Sequence, residues 1–332
     1  MPRHIRNNRR VAVFYEHPEW FAPLFAELDQ RRIPYDRLRA YEHRFNPAER
    51  HCPYILIVNR MSPSAYTRGH GQAIFYTLEY LAYLKEIGAN VMNGYDAYVY
   101  EFSKARQLSL LDRLGLRYPR AHVINHASQA PAAAEGLTFP VLAKPNIGGS
   151  GAKIARFNTP DELRVAATTG LDLGIDQTAL VQEYLPAEGN SIVRVEILNG
   201  EYLYAIRLFL TRDEFNLCPA DYCRVPEPEE RRNTDGLADG VSGRGLPVEA
   251  CSPPVEIIED VKRIAAAAHM EVGGVEYLVN SRDGQVYYYD INVLSNFVAN
   301  ASQVIGFDPF PRLVDYILLR AGLTEAASVK SR

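Results

Sequence analysis

Lys144 stands in the stretch Val141-Leu-Ala-Lys-Pro-Asn-Ile-Gly-Gly-Ser-Gly-Ala-Lys-Ile154, where an apolar run ends in a glycine-rich turn. Gly148, Gly149, Ser150 and Gly151 let the backbone come close to a ligand, because three of the four lack a Cβ. Successive N–H groups in such a turn converge on anionic oxygens, and a nearby ammonium strengthens the attraction. A nucleoside triphosphate suits that pairing. Taken alone, the stretch is equally well an ordinary hairpin turn. It is not a P-loop, since no Gly-Lys-Ser/Thr follows and no helix pattern begins there. Gly69-His-Gly71 lacks the third glycine of a dinucleotide fingerprint.

The second group lies far downstream, in Gly274-Val-Glu-Tyr-Leu-Val-Asn-Ser-Arg-Asp-Gly-Gln-Val-Tyr-Tyr-Tyr-Asp-Ile-Asn292. Two β-type runs flank Ser281-Arg-Asp-Gly284, a turn that closes a hairpin. Asp290 and Asn292 share a face by the period of two, and antiparallel pairing brings Glu276 close to them. Two carboxylates and an amide oxygen are hard ligands of the kind that hold Mg²⁺ on phosphates. Each acid alone is more often a solvated strand residue; the trio, together with the lysine and glycine element upstream, points to a metal–nucleotide site.

Several elements must position these groups. Val11–Tyr15 and Tyr54–Asn59 read as buried strands, and residues 20–30 and 72–87 as amphipathic helices. That β-α-β-α order predicts a small parallel-sheet domain over about residues 10–95. The loop from Asn59 to Gly71 leaves the C-terminal end of a strand, where open α/β sheets place ligands, so Arg60, Arg68 and His70 are substrate candidates. Residues 140–183 give strand, strand, helix and strand, the helix capped by Thr159 with Pro160 in its first turn. Asn199-Gly200 signals a hairpin. A long helix is expected from Ser252 as cap and Pro253 in the first turn, with Ile257, Ile258, Val261, Ile264, Ala265 and Ala268 on one face. Residues 310–319 form a last helix. The turn-rich, charged residues 225–247 read as a mobile insertion.

Composition excludes several classes. The 332 residues are 47% hydrophobic and 23% charged, ordinary for a globular protein with two or three domains. A net charge of −4 argues against a nucleic-acid surface. No apolar run is long enough to cross a membrane, and the basic opening residues 2–10 lack the apolar core of a secretory signal. Cys52, Cys218, Cys223 and Cys251 lack paired zinc spacing, and reduced thiols in a cytoplasmic protein are expected.

On these residues the chain resembles the ATP-grasp superfamily, over roughly residues 55–322. The resemblance implies an α/β ATP-grasp fold: a small parallel-sheet domain over 10–100, a first lobe with a small lid over 101–189, and a C-terminal lobe with the metal site over 190–323. Lys104, in Glu101-Phe-Ser-Lys-Ala-Arg-Gln-Leu, resembles the family's first ATP-binding lysine and Lys144 the second. Gly148, Gly149, Ser150 and Gly151 resemble the phosphate loop. Leu180-Val-Gln-Glu-Tyr-Leu-Pro186 is similar to the adenine linker, which implies Glu183 at the adenine amino group, Tyr184 and the Leu185 backbone beside the ring, and Glu188 at the ribose. Glu276, Asp290 and Asn292 resemble the metal set, which implies ATP with two Mg²⁺, or Mn²⁺.

Within the superfamily, Tyr54-Ile-Leu-Ile-Val-Asn-Arg-Met-Ser62 and Gly88-Ala-Asn-Val-Met-Asn93 resemble the RimK/LysX-type amino-acid ligases. Such enzymes activate a carboxylate as an acyl phosphate and join it to an amine. The resemblance gives Arg194 and Arg207 catalytic positions, with Arg207 at the transferring phosphoryl group. The partners implied are small-molecule or peptide carboxylates and amines, and a homodimer is a common form. Three departures stand out. The metal acids come as Glu then Asp, the reverse of many relatives; Lys153 replaces a common glycine; and Phe215-Asn-Leu-Cys-Pro-Ala-Asp-Tyr-Cys223 replaces an Asn followed by paired glycines. An ATP-grasp kinase and a nucleotide-binding regulatory module without turnover are the rival readings. ADP release that requires an amine as well as an acid separates the ligase from the first, and tight ATP binding without hydrolysis marks the second.

Overall fold

The computed structural model describes residues 10–17, 19–149, 151–210 and 248–323; Ser150, Cys218, Cys223 and the expected insertion at 225–247 lie outside them. The fold is α/β. In chain order the first elements are β1 (Val11–Tyr15), α1 (Ala22–Gln30), β2 (Tyr35–Arg39), β3 (Leu56–Arg60), α2 (Gly71–Glu86), β4 (Val91–Met92) and α3 (Tyr95–Glu101). All residues of β1 and β3 are buried, as strands covered on both faces require. The described sheet is parallel in the order β2-β1-β3-β4. The order in which strands are added reverses at β1, with β2 on one side of it and β3 on the other. The crevice at their C-terminal ends is therefore the switch point where open sheets bind ligands.

Next come α4 (Lys104–Arg113), β5 (Ala121–Ile124), α5 (Ala130–Ala133), β6 (Val141–Pro145), β7 (Ala155–Phe157), α6 (Pro160–Thr169) and β8 (Ala179–Glu183). Thr159 caps α6 by accepting the Glu162 N–H at 3.2 Å, and Pro160 opens the helix, as expected. Among the described residues the sheet runs β5-β8-β6-β7 and is antiparallel. Its inner face packs Val141, Ala143, Phe157 and Val181 against Leu163 and Ala130.

The remaining elements are β9 (Ser191–Leu198), β10 (Glu201–Phe209), β11 (Val248–Cys251), α7 (Val255–Ala267), β12 (Val272–Val279), β13 (Val286–Asn292), α8 (Ala301–Val304) and α9 (Phe310–Arg320). Their described sheet is antiparallel in the order β11-β10-β9-β12-β13. Val193, Val195, Ile197 and Val275 pack on Ile257, Val261, Ile264 and Ala265 of α7. The other face carries Arg194, Glu196 and Glu276, all buried. α9 packs on α1 and ties this sheet to the N-terminal one through Leu24, Phe25, Leu313 and Ile317.

α7 begins at Val255, with Pro254 at its N-cap and no side-chain cap, so Ser252 does not cap it. Pro254 bars Pro253 from helical backbone, and the helix starts only after both prolines. β2, β4 and β5 were not legible in the sequence; β2 is a short edge strand with a mostly polar pattern, and β4 has only two residues. Among the described residues, no helix is long and apolar enough to cross a membrane.

Candidate active site

The three sheets enclose a cavity of about 500 Å³. Its deep end is built on the β12–β13 hairpin. Glu276 pairs with Asp290 across the two strands, and Asn292 follows on the same face. The register shifts beside Glu276, leaving Tyr289 as an extra residue between Tyr288 and Asp290. This bulge lets Tyr289 and Asp290, consecutive in sequence, both line the cavity.

Cations surround these acids. Lys104, at the start of α4, donates to Asp290 Oδ1 at 2.5 Å. Arg194 on β9 donates to Glu196 at 2.6 Å and to Glu276 at 3.2 Å. Gly274 makes room for that arginine: a Cβ there would stand 2.7 Å from Arg194 Nε and 2.8 Å from Glu196 Oε1. Lys144, on β6, is buried, and among the described residues no carboxylate forms an ion pair with it.

The charges follow from this packing. Burial alone would raise Asp290, but Lys104 and Lys144 outweigh it and hold the carboxyl at about 2. Burial and the charge of Asp290 push Glu276 up. Burial, then repulsion from Lys104, pulls Lys144 down to about 8. Burial also pushes Glu101, which lines the cavity and accepts the Leu294 N–H at 2.9 Å, up to about 7.

Two amides fix the lysines and acids in place. Asn146 Oδ1 accepts from Ser103 Oγ at 3.1 Å and from the Ala105 N–H at 3.0 Å, tying the end of β6 to the start of α4. Gln107 exchanges two hydrogen bonds with the Ile291 backbone, at 2.8 and 3.1 Å, and so pins the strand between Asp290 and Asn292. Sequence reasoning missed both, although Asn146 lies two residues from Lys144 and Gln107 one helical turn from Lys104.

Apolar side chains, Leu142, Ile154, Leu185 and Leu278, also line the cavity. Glu183, also in the lining, accepts from Arg120 at 2.5 Å and from the Thr138 N–H at 2.7 Å. Burial opposes its charge, but Arg120 and Thr138 outweigh that and lower its pKa. The opposite end, toward the N-terminal sheet, is lined by Trp20, Ser62, Ser64, Asn296 and Phe297. Gly149 touches this end: a Cβ there would lie 2.6 Å from Ser64 Cβ.

No protein-family model matches the chain. Solved structures do. D-cycloserine synthetase DcsG matches with a TM-score of 0.65 at 15% identity, over 94% of this chain and 99% of that one. ATP-grasp ligase PsnB complexed with minimal precursor gives 0.63 at 15% identity, over 94% and 99%. A RimK domain protein ATP-grasp from Sphaerobacter thermophilus gives 0.61 at 15% identity, over 95% and 99%. The chain has the ATP-grasp fold.

Within this ATP-grasp frame the expected site residues divide. Lys104, Lys144, Gly148, Gly149, Gly151, Glu183, Tyr184, Leu185, Arg194, Glu276, Asp290 and Asn292 line one cavity. Ser150 lies outside the described residues. Glu188 is exposed on the turn after β8 and does not line the cavity, whereas Asn190, two residues on, does. Lys153 pairs with Asp172 at 2.9 Å.

Arg207 requires a correction. Its side chain is 44% exposed, lies 3.9 Å from Glu249 and does not line the cavity. A bulge between Tyr202 and Tyr204 pairs Arg207 with Val193 and Ile206 with Arg194, so Arg207 shares the face of α7. Arg68 and His70 also lie off the cavity lining. Arg68 makes a forked contact with the buried carboxylate of Glu16, and His70 Nδ1 lies 2.6 Å from the same group. Arg60 is buried and does not line the cavity either.

Proposed function

We propose that this chain is an ATP-dependent carboxylate–amine ligase that activates an acid as an acyl phosphate and releases ADP. One observation carries the reading: Glu276, Asp290 and Asn292 line one cavity with Lys104, Lys144, Glu183 and the apolar Leu142, Ile154, Leu185 and Leu278. A nucleotide fits with its base among these apolar residues and its phosphates toward the lysines and Gly148, Gly149 and Gly151. The ligase PsnB has been solved with minimal precursor, Mg and ADP. Its likeness in fold supports the assignment.

The acid set fits Mg²⁺. Two crowded carboxylates, one with its pKa pushed up by burial and then by the other, gain from a divalent cation, and the third donor is an amide oxygen. Among the described residues no cluster of three His, Cys, Asp or Glu is present, and in this reading Asn292 supplies the third donor. Glu276, Asp290 and Asn292 would hold one or two Mg²⁺, or Mn²⁺, which when bound neutralise charge on the phosphate oxygens.

The chain's own residues supply the rest. Lys144 and the loop N–H groups bind phosphate oxygens in place of water. Lys104 is shared between Asp290 and the phosphates. Arg194, locked by Glu196 and Glu276, presents fixed positive charge where an attacking carboxylate approaches the γ-phosphate, and positioned charge of this kind supplies much of the catalysis in phosphoryl transfer. The carboxylate oxygen forms a bond to phosphorus as the bond to ADP breaks. An amine then attacks the acyl carbon, expels phosphate and loses a proton. Walls from all three sheets shield the acyl phosphate from water.

The test is ADP release with Mg-ATP and a panel of acids and amines, singly and in pairs, with mass spectrometry of the products. Ligation gives a product of acid plus amine less water. A phosphorylated product that forms without an amine and does not condense would replace this reading with a kinase.

A further inference from the structure

Among the described residues β13 is an edge strand, with β12 on one side of it only. The backbone groups on its outer edge still need partners, since buried N–H and C=O groups are rarely left unpaired. The segment from the end of α3 to the loop after α4 supplies them. The Arg117 carbonyl accepts the Tyr288 N–H at 2.9 Å, Gln107 bonds to both backbone groups of Ile291, and Glu101 accepts the Leu294 N–H at 2.9 Å. These contacts fall at residues 288, 291 and 294 and so bracket Asp290 and Asn292.

Gln107 holds the central place. It is 1% exposed, and every polar group of its amide is used. Nε2 donates to the carbonyls of Tyr100 and Ile291, both at 2.8 Å, and Oε1 accepts the Ile291 N–H at 3.1 Å. Turning the amide over would set N–H against N–H and carbonyl against carbonyl, so one orientation fits. One turn earlier on α4, Lys104 donates to Asp290. The same side of α4 therefore holds both the strand that carries the metal donors and the lysine beside them.

We propose that Gln107 is a positioning residue for the metal set: by fixing the Ile291 backbone it sets the spacing of the Asp290 and Asn292 donors. Those side chains leave the strand on either side of Ile291, and both line the cavity. A shift of the backbone at Ile291 changes their separation and direction together. Outer contacts that orient metal ligands typically change metal affinity about 10- to 100-fold when they are removed. The proposal rests on the metal assignment of Glu276, Asp290 and Asn292, and not on the identity of the acid or the amine.

The experiment measures ADP binding to the full chain by calorimetry, once with excess Mg²⁺ and once with EDTA, and needs no turnover. Wild type should bind ADP more tightly with Mg²⁺, because the metal then joins the donors to the phosphates. In Gln107→Leu the affinity with Mg²⁺ should fall roughly 10- to 100-fold while the affinity in EDTA stays within about twofold. The start of α4 remains tied to Asn146 through Ser103 and Ala105, so Lys104 keeps its place in the variant. A merely structural role for Gln107 would weaken both conditions alike. Gln107→Asn keeps a hydrated amide that is one methylene too short to bridge to Ile291. It serves if the leucine variant does not fold, and it should lose part of the gain from Mg²⁺ in the same direction. A folded variant that keeps the full gain, or weakens equally with and without Mg²⁺, overturns the proposal and leaves the metal assignment standing. No gain from Mg²⁺ in wild type removes the metal assignment and this proposal together.

Discussion

Lys144→Met should make the ligand-free protein more stable and the nucleotide-bound protein less so. The wild-type ammonium is buried, has no carboxylate in ion-pair contact among the described residues, and is pulled from 10.5 to about 8 by burial and by Lys104. At about 1.36 kcal/mol per tenfold change, keeping that proton in the folded state costs about 3 kcal/mol at pH 7. Methionine fills a similar volume without charge, so most of this should reappear as stability in urea unfolding without nucleotide. The pH dependence has a definite sign. Below about 8 both folded and unfolded chains hold the proton and the penalty is complete. Between about 8 and 10.5 the folded state releases it first, so this group makes wild-type stability rise with pH until the advantage of the variant disappears. Mg-ATP affinity should fall about 10- to 100-fold, the loss of one hydrogen bond to a charged partner. Both are read from one set of urea curves recorded with and without Mg-ATP at pH 7 and pH 10. A variant less stable than wild type at pH 7 without nucleotide would refute the reasoning, because the lysine would then be stabilising the fold.

Four further outcomes are expected. Asp290→Asn should fold normally yet lower Mg²⁺-dependent ADP release at least about 100-fold, measured at saturating ATP; an unchanged rate would remove the metal assignment. Arg194→Met leaves Glu196 and Glu276 buried without their cation and should destabilise the ligand-free protein by about 3–5 kcal/mol in urea unfolding. Arg207→Ala should stay within about twofold of wild type in turnover, since its side chain lies on the α7 face, and mutations away from the site rarely change much. For Glu16, burial works against the charge, but Arg68 and His70 outweigh it and lower the pKa below 4.5. Its stabilisation is therefore complete above 4.5 and lost as pH falls through the lowered value, so the stability gap between wild type and Glu16→Gln should be widest near pH 7 and close under acid.

Much of this molecule could be read from local pattern. The buried runs of β1 and β3, the Asn199-Gly200 turn and the hairpin carrying Glu276, Asp290 and Asn292 are decided by residues a few positions apart. Strand alternation and turn preference are short-range effects, and they survive in any context that buries one face. For the same reason Lys144 and the glycines that follow it were recognisable as one element. Asn146 and Gln107 stayed silent because an amide has no distinctive pattern until the elements it joins are side by side.

What only the tertiary structure decided is which face each strand residue takes after an interruption. A regular hairpin closed at Asn199-Gly200 would pair Arg207 with Ile192 and set it on the same face as Arg194. The single bulge beside Leu203 turns it to the face of α7 instead. A second bulge does the reverse on β13 and brings Tyr289 into the cavity beside Asp290. The shift is one residue in each case, and it reverses every side chain beyond it because the strand period is two. The residue types that do the chemistry are thus local properties of the chain, whereas their common face depends on pairing between strands, which is set by packing across the whole sheet.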